Sequence, residues 1–171
     1  MLGVPPGKVT LTAYQDDWPG SFAAERERLI GTLGDRVVAI EHIGSTAVTG
    51  MVAKPLIDLM IGLRSVEMHT GCLEPMRGLG YGYMGEYGIP DRHFFVLGDP
   101  TTHHAHMVEH DGEFWRLNIL FRDHLRSNRD ARERYESVKR ELVARFADDR
   151  KQYTAGKDAI IQTLLREAGW S

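Results

Sequence analysis

Within His42–Gly62 (HIGSTAVTGMVAKPLIDLMIG), a β-branched segment runs into Gly44-Ser45, and a loop of small residues follows. A second apolar segment then carries a single acid, Asp58. Each of these residue types has a use in phosphate chemistry. Glycine lets the backbone approach an anion closely, and the serine after it offers an amide and a hydroxyl. Lys54, at the end of the loop, supplies a point charge for the same phosphates. Asp58 interrupts LIDLMIG, which reads as a strand buried on both faces. An ionised carboxylate there is costly unless it is paired, hydrogen-bonded or on a metal, and carboxylates so placed often belong to functional sites. The competing reading is an anchor for loop amides.

The histidines widen the choice of chemistry. His104 and His106 stand two apart in HFFVLGDPTTHHAHMVEH, so on a strand they share a face. His42 precedes the Gly-Ser turn. Three imidazoles with Asp58 suit Zn²⁺, Mn²⁺ or a similar borderline ion better than Mg²⁺. The alternative is that the pair hydrogen-bonds a substrate or lines a polar cleft, and either ring is also a candidate base. His103 and His110 read as exposed, and His69 and His124 as surface residues of helices. Arg122, in LFRDHLR, is either a bidentate anion clamp or half of a structural bridge. Lys157, in YTAGKDAII, either meets a phosphate or serves capping and packing. Arg92 either reaches an anion or stays at the surface. Trp18, Trp115 and Trp170 read as packing residues.

These side chains need a scaffold, and the pattern predicts one. DDWPGSFAAERERLIGTLG reads as a helix with Asp17 as cap, Pro19 in the first turn and Gly34 at the end. RVVAIEHIGS and LIDLMIG read as strands around the Gly44–Pro55 loop. Residues 65–79 read as a helix bent or interrupted at Pro75. A short strand at 81–83 precedes a hairpin that turns at Gly98-Asp99-Pro100. Helices follow near 113–127, 130–147 and 154–168; the charge-dense run RDARERYESVKRELVARFADDRK reads as a solvated helix face. Strands followed by helices predict one α+β domain over 1–171.

Composition removes some function classes. With 21 Lys and Arg against 24 Asp and Glu, the formal charge is −3, which argues against a grip on long nucleic acid. A small anionic ligand needs only a local cluster of cations. One cysteine, Cys72, excludes an internal disulfide framework and suits a reducing cytoplasm. The opening residues lack a signal-peptide pattern, and no apolar run is long enough to cross a membrane.

The spacing from Gly44-Ser45 to Asp58 resembles the signature of the DNA polymerase β-like nucleotidyltransferase superfamily. There, a Gly-Gly or Gly-Ser turn precedes an Asp-x-Asp or Asp-x-Glu pair on the next strand. More closely, the chain is similar to the GrpB family, usually placed in that superfamily. The likeness is carried by YQDDWPGSFAAERERL, IEHIGSTAVTGMVAKPLIDLMIG, THHAHMVE, NILFRDHLRSN and YTAGKDAII, in family order over nearly the whole chain. It implies a nucleotidyltransferase-like mixed, largely antiparallel sheet packed with helices and a C-terminal helical cluster. It also implies transfer of a nucleotidyl group from a nucleoside triphosphate to a small acceptor, with a divalent metal (Mg²⁺, Mn²⁺ or Zn²⁺). On that reading Gly44, Ser45, Lys54, Arg122 and Lys157 hold the nucleotide's phosphates. Asp58 and His106 are catalytic, and Asp58, His104, His106 and His42 are the metal ligands. The partner position of the acidic pair is Met60, whose thioether does not bind hard Mg²⁺, a loss the GrpB resemblance itself predicts. The alternative is therefore a domain that binds a nucleotide or phosphometabolite without turnover. A third reading is altered chemistry, either ATP-driven carboxylate activation or hydrolysis at a His-bound metal.

Overall fold

The computed structural model describes residues 1–171. Helix α1 (Trp18–Leu33) begins with Pro19 in its first turn, where a missing N–H costs nothing. Asp17 makes no side-chain cap; its carbonyl instead accepts from the Ser21 amide and hydroxyl. Trp18, Leu29 and Leu33 are fully buried against the sheet. Each contributes roughly 1.5–3 kcal/mol by leaving water.

The sheet comprises β1 (Val37–Ile43), β2 (Ile57–Leu63), β3 (Gly82–Tyr83), β4 (His93–Leu97) and β5 (His103–Glu109), in the order β1-β2-β5-β4-β3. Only β2 and β5 pair in parallel; the other neighbours are antiparallel. Register sets what meets what. Asp58 lies opposite His104 and Met60 opposite His106, while Ile43 on β1 lies opposite Asp58. Because facing residues share a side of the sheet, Asp58, Met60, His104 and His106 all point one way. Ile40, Leu59, Ile61, Ala105 and Met107 point the other, into the main core with α1.

Helices α3 (Glu113–Ser127), α4 (Arg129–Phe146), α5 (Arg150–Gly156) and α6 (Asp158–Glu167) pack on the Asp58 side. Trp115 of α3 joins Ile43, Met60 and Val108 in a small apolar cluster. That approach needs Gly62, since a Cβ there would fall 2.7 Å from the Trp115 ring. Val48 and Met51 of the Gly44–Pro55 loop are buried with Leu125, Ala131, Tyr135 and Leu164. The helical cluster thus anchors the loop beside Asp58. The Asn128 side chain accepts from Ala131 N at 3.0 Å and caps α4, an interaction worth about 1 kcal/mol.

The sheet, the hairpin and the C-terminal helices agree with the α+β expectation. Two helical segments differ from the sequence reading. Residues 66–72 form a 3-10 helix, and α2 (Leu73–Gly78) begins after it. Pro75 therefore sits in a first turn, where it breaks no hydrogen bond. The last helix starts at Arg150 rather than Thr154, because the Asp149 side chain accepts from Gln152 N at 3.0 Å. It is interrupted between Gly156 and Asp158, so Tyr153 lies inside a helix and Lys157 at the junction. His103 and His110 are half-buried rather than exposed. No helix is long and apolar enough to cross a membrane.

Candidate functional site

β1 ends at Gly44, whose φ of 71° turns the chain into a 3-10 turn at Ser45–Ala47. A Cβ on Gly44 would lie 2.7 Å from Asp58 Oδ2, so only glycine lets the turn lean on that carboxylate. Thr46 locks the turn by donating to Leu56 O at 3.1 Å. Its hydrogen being used there, His42 Nε2, 3.0 Å away, donates to the Thr46 hydroxyl.

Asp58 is the centre of a compact group. Its Oδ1 is 3.2 Å from His104 Nδ1 and 3.6 Å from His106 Nε2. One ligand atom from each residue lies within 4.8 Å of the others. Two arginines stand behind the rings: Arg150 Nη2 is 3.2 Å from His104 Nε2, and Arg92 Nη1 is 3.2 Å from His106 Nδ1. A guanidinium only donates, so both of those ring nitrogens accept. Each neutral ring then carries its proton on the nitrogen facing Asp58. Burial alone would raise the Asp58 pKa, but the hydrogen bonds from His104 and His106 outweigh it and hold the carboxyl well below the usual range. Burial pushes His104 down, leaving it neutral near pH 7 despite Asp58.

One carboxylate and two imidazoles fit a borderline divalent ion by donor type and spacing. Arg92 and Arg150 set the cost of loading one. A metal-bound imidazole ordinarily gives its other N–H to an acceptor, whereas here that nitrogen meets an arginine donor.

A cleft of about 1110 Å³ opens over this group. Seven basic side chains line it, Lys54, Arg92, Arg122, Lys139, Arg150, Lys151 and Lys157, against two acids, Asp58 and Asp158. Lys139 is 2% exposed and donates to Val52 O at 2.5 Å and Ser45 Oγ at 3.1 Å. Burial pushes its ammonium down to about 7 and that of Lys54 to about 8, and it lowers Lys157 as well. None of the three has a carboxylate within ion-pair distance. Lys54 and Lys157 instead sit over the Tyr153 ring at 5.8 and 5.0 Å, and Lys139 over Tyr135 at 4.9 Å.

Gly44, Ser45, Lys54, Asp58, His104, His106 and Lys157 are thus brought together. His42 is not. It is opposite Leu59, on the far side of the sheet from Asp58, stacked on Phe22 at 4.7 Å. Burial and the neighbouring arginines hold its pKa near 4, against the pull of Asp58. Arg122 reaches the cleft wall and gives its Nε to Asp123 at 2.8 Å and its Nη1 to Glu41 at 2.6 Å and the His42 carbonyl at 3.1 Å. It ties α3 to β1. His106 lies between Asp58 Oδ1, 3.6 Å from its Nε2, and Arg92, which meets its Nδ1. Met60 is fully buried in the Trp115 cluster, out of the cleft.

Sequence reasoning missed Lys139 and Arg150. For Lys139 a signal existed: Ala131, Tyr135, Lys139 and Leu142 fall at helical spacing on the buried stripe of α4. Nothing local marked Arg150.

The family model described as "GrpB protein" matches residues 8–167. The chain belongs to the GrpB family. It is 39% identical over 165 residues to UPF0157 protein YqkA of Bacillus subtilis, covering 96% of this chain and 48% of that protein. The chain thus spans about half the length of that relative. It is 33% identical to the glutamate-rich protein GrpB of Alkalihalophilus pseudofirmus, covering 98% of this chain and 99% of that one. The crystal structure of the conserved protein GrpB from Enterococcus faecalis superposes with a TM-score of 0.86 at 32% identity, covering 93% of this chain and 96% of the other. The GrpB fold and this chain's mixed sheet with its helical cluster are therefore the same architecture.

Proposed function

We propose that the chain binds a nucleoside triphosphate in the Asp58 cleft and transfers its nucleotidyl group to a small acceptor, in the manner of the nucleotidyltransferase superfamily. The observation that carries this reading is that buried Lys139 and half-buried Lys54 and Lys157, all without carboxylate partners, line one cleft with the Gly44-Ser45 turn, where Lys139 donates to Ser45 Oγ. Desolvated cations without counter-charge are costly. A polyphosphate supplies that charge, and in a protein of formal charge −3 this cleft carries seven basic side chains against two acids.

Phosphates seated on Ser45, Lys54, Lys139 and Lys157 lie beside Asp58. As the acceptor oxygen bonds to the α-phosphorus and the bond to pyrophosphate breaks, the lysines neutralise charge that develops on the leaving pyrophosphate, preorganised and away from bulk water. Asp58, held ionised, would hold a divalent ion with His104 and His106. A bound ion would supply Lewis-acid stabilisation of the reacting phosphate. Arg150, whose one side-chain hydrogen bond is to His104, is placed to exchange that bond for a phosphate oxygen.

A second reading is favoured by one observation. Met60 occupies the position of the second carboxylate and is sealed under Trp115, which suits a domain that holds a phosphorylated ligand without turnover. Pyrophosphate release from ATP, assayed with Mg²⁺, Mn²⁺ and Zn²⁺ over a panel of small acceptors, separates the two. Release that is lost in Asp58→Ala supports transfer. Tight ATP binding with no release for any metal or acceptor leaves the binding-only reading.

A further inference from the structure

The large apolar side chains that this protein leaves exposed gather at one edge of the cleft. Of seven such residues, Tyr83, Met84, Tyr87 and Ile89 fall within seven positions, and the last three line the cleft with Asp58. Tyr87 is 67% exposed. An exposed apolar cluster beside a polar site marks a binding surface more often than a scattered residue does.

The loop that presents them is built rather than slack. Met84 N donates to Phe94 O and Phe94 N to Gly85 O, each at 2.8 Å, so the β3–β4 pairing runs on into the loop. Asp91 N donates to Glu86 Oε1 at 2.7 Å, and Arg92 donates to the Glu86 and Tyr87 carbonyls at 2.9 and 3.0 Å. Tyr87 is held at φ 50°, a conformation rare outside glycine. Its ring rests 5.4 Å from that of Phe94, which also carries the Arg92 guanidinium at 4.9 Å. The loop is a fixed platform.

The wall's chemistry is also selective by omission. The loop contributes Met84, Tyr87, Ile89 and Arg92 to the cleft, and the Arg92 donors are already engaged. No amide or carboxylate side chain from this loop lines the cleft to read the edge of a ring. We infer that the Met84–Tyr87–Ile89 wall holds the base of the nucleotide by stacking, without reading its edge, so that the site accepts all four common bases. The inference rests on the phosphate reading of the lysine end.

Calorimetric titration with ATP, GTP, CTP, UTP and inorganic triphosphate, all in chelator without metal, tests it. The four nucleotides should bind within about tenfold of one another, and inorganic triphosphate about tenfold or more weaker, in line with the stabilisation a base gains from an aromatic face. Tyr87→Ala should bring the nucleotides down to the triphosphate value and leave triphosphate unchanged; Tyr87→Phe should bind like wild type. Triphosphate binding as tightly as the nucleotides, or nucleotide affinity unmoved by Tyr87→Ala, would overturn the platform and leave the phosphate site standing. A preference for one base above about 100-fold would also overturn it, since that needs edge-reading hydrogen bonds. Failure of all five to bind would overturn both readings.

Discussion

At the scale of single residues, the notable point is where protons sit. Arg92 and Arg150 each take a ring lone pair, which aims two N–H groups at Asp58. Removing one arginine should therefore free its histidine for a metal. In Arg150→Ala, Co²⁺ binding monitored by its visible absorption should tighten about tenfold over wild type. Lys151→Ala, which removes a cleft charge without touching a histidine, should change it far less. Equal tightening in both variants would reduce the arginine's role to charge. The lysines give a pH prediction. Burial lowers Lys139 and Lys54 to about 7 and about 8 in the folded chain, against 10.5 for a free lysine. Between those values the unfolded chain binds more protons, so the stability of the free protein should rise with pH from about 7 to about 10. A bound polyanion favours the charged lysines, so triphosphate binding should take up protons and weaken over the same range. Calorimetry in buffers of different ionisation enthalpy reads that uptake directly.

At the scale of elements, the strands and the Asp58 and His104–His106 positions were legible, because alternation and i, i+2 spacing are local. The parallel pairing of β2 with β5 was not, since register between distant strands leaves no local mark. That pairing alone sets Asp58 against His104 and sends His42 to the other face. Lys139 was misread for a related reason: a dense charge run hides one cation on the buried stripe of α4. Removing that cation while keeping its bulk makes a discriminating variant. Lys139→Met should leave the melting temperature equal or higher, because an unpaired buried charge is replaced by an apolar chain. It should weaken triphosphate binding about tenfold or more. The Met60 position makes the opposite case. Met60→Asp places a carboxylate among Ile43, Val108 and Trp115 and should cost on the order of 2–5 kcal/mol. It should show as a lowered denaturation midpoint, with no gain of Mg²⁺ binding.

At the scale of the molecule, a chain of formal charge −3 lines one cleft with seven basic side chains against two acids. Low-dielectric walls focus such a field, so ligand affinity should fall with added salt less steeply than it would at an open surface patch. The chain superposes on the Enterococcus faecalis GrpB crystal structure over 93% of its length. The most direct test is calorimetric titration of ATP into the wild type and into a Lys54→Met, Lys139→Met, Lys157→Met variant whose melting temperature is first shown to be preserved. The wild type should bind and the variant should not. Equal binding by both, or none by the wild type, would contradict the claim that this cleft is built for a polyphosphate.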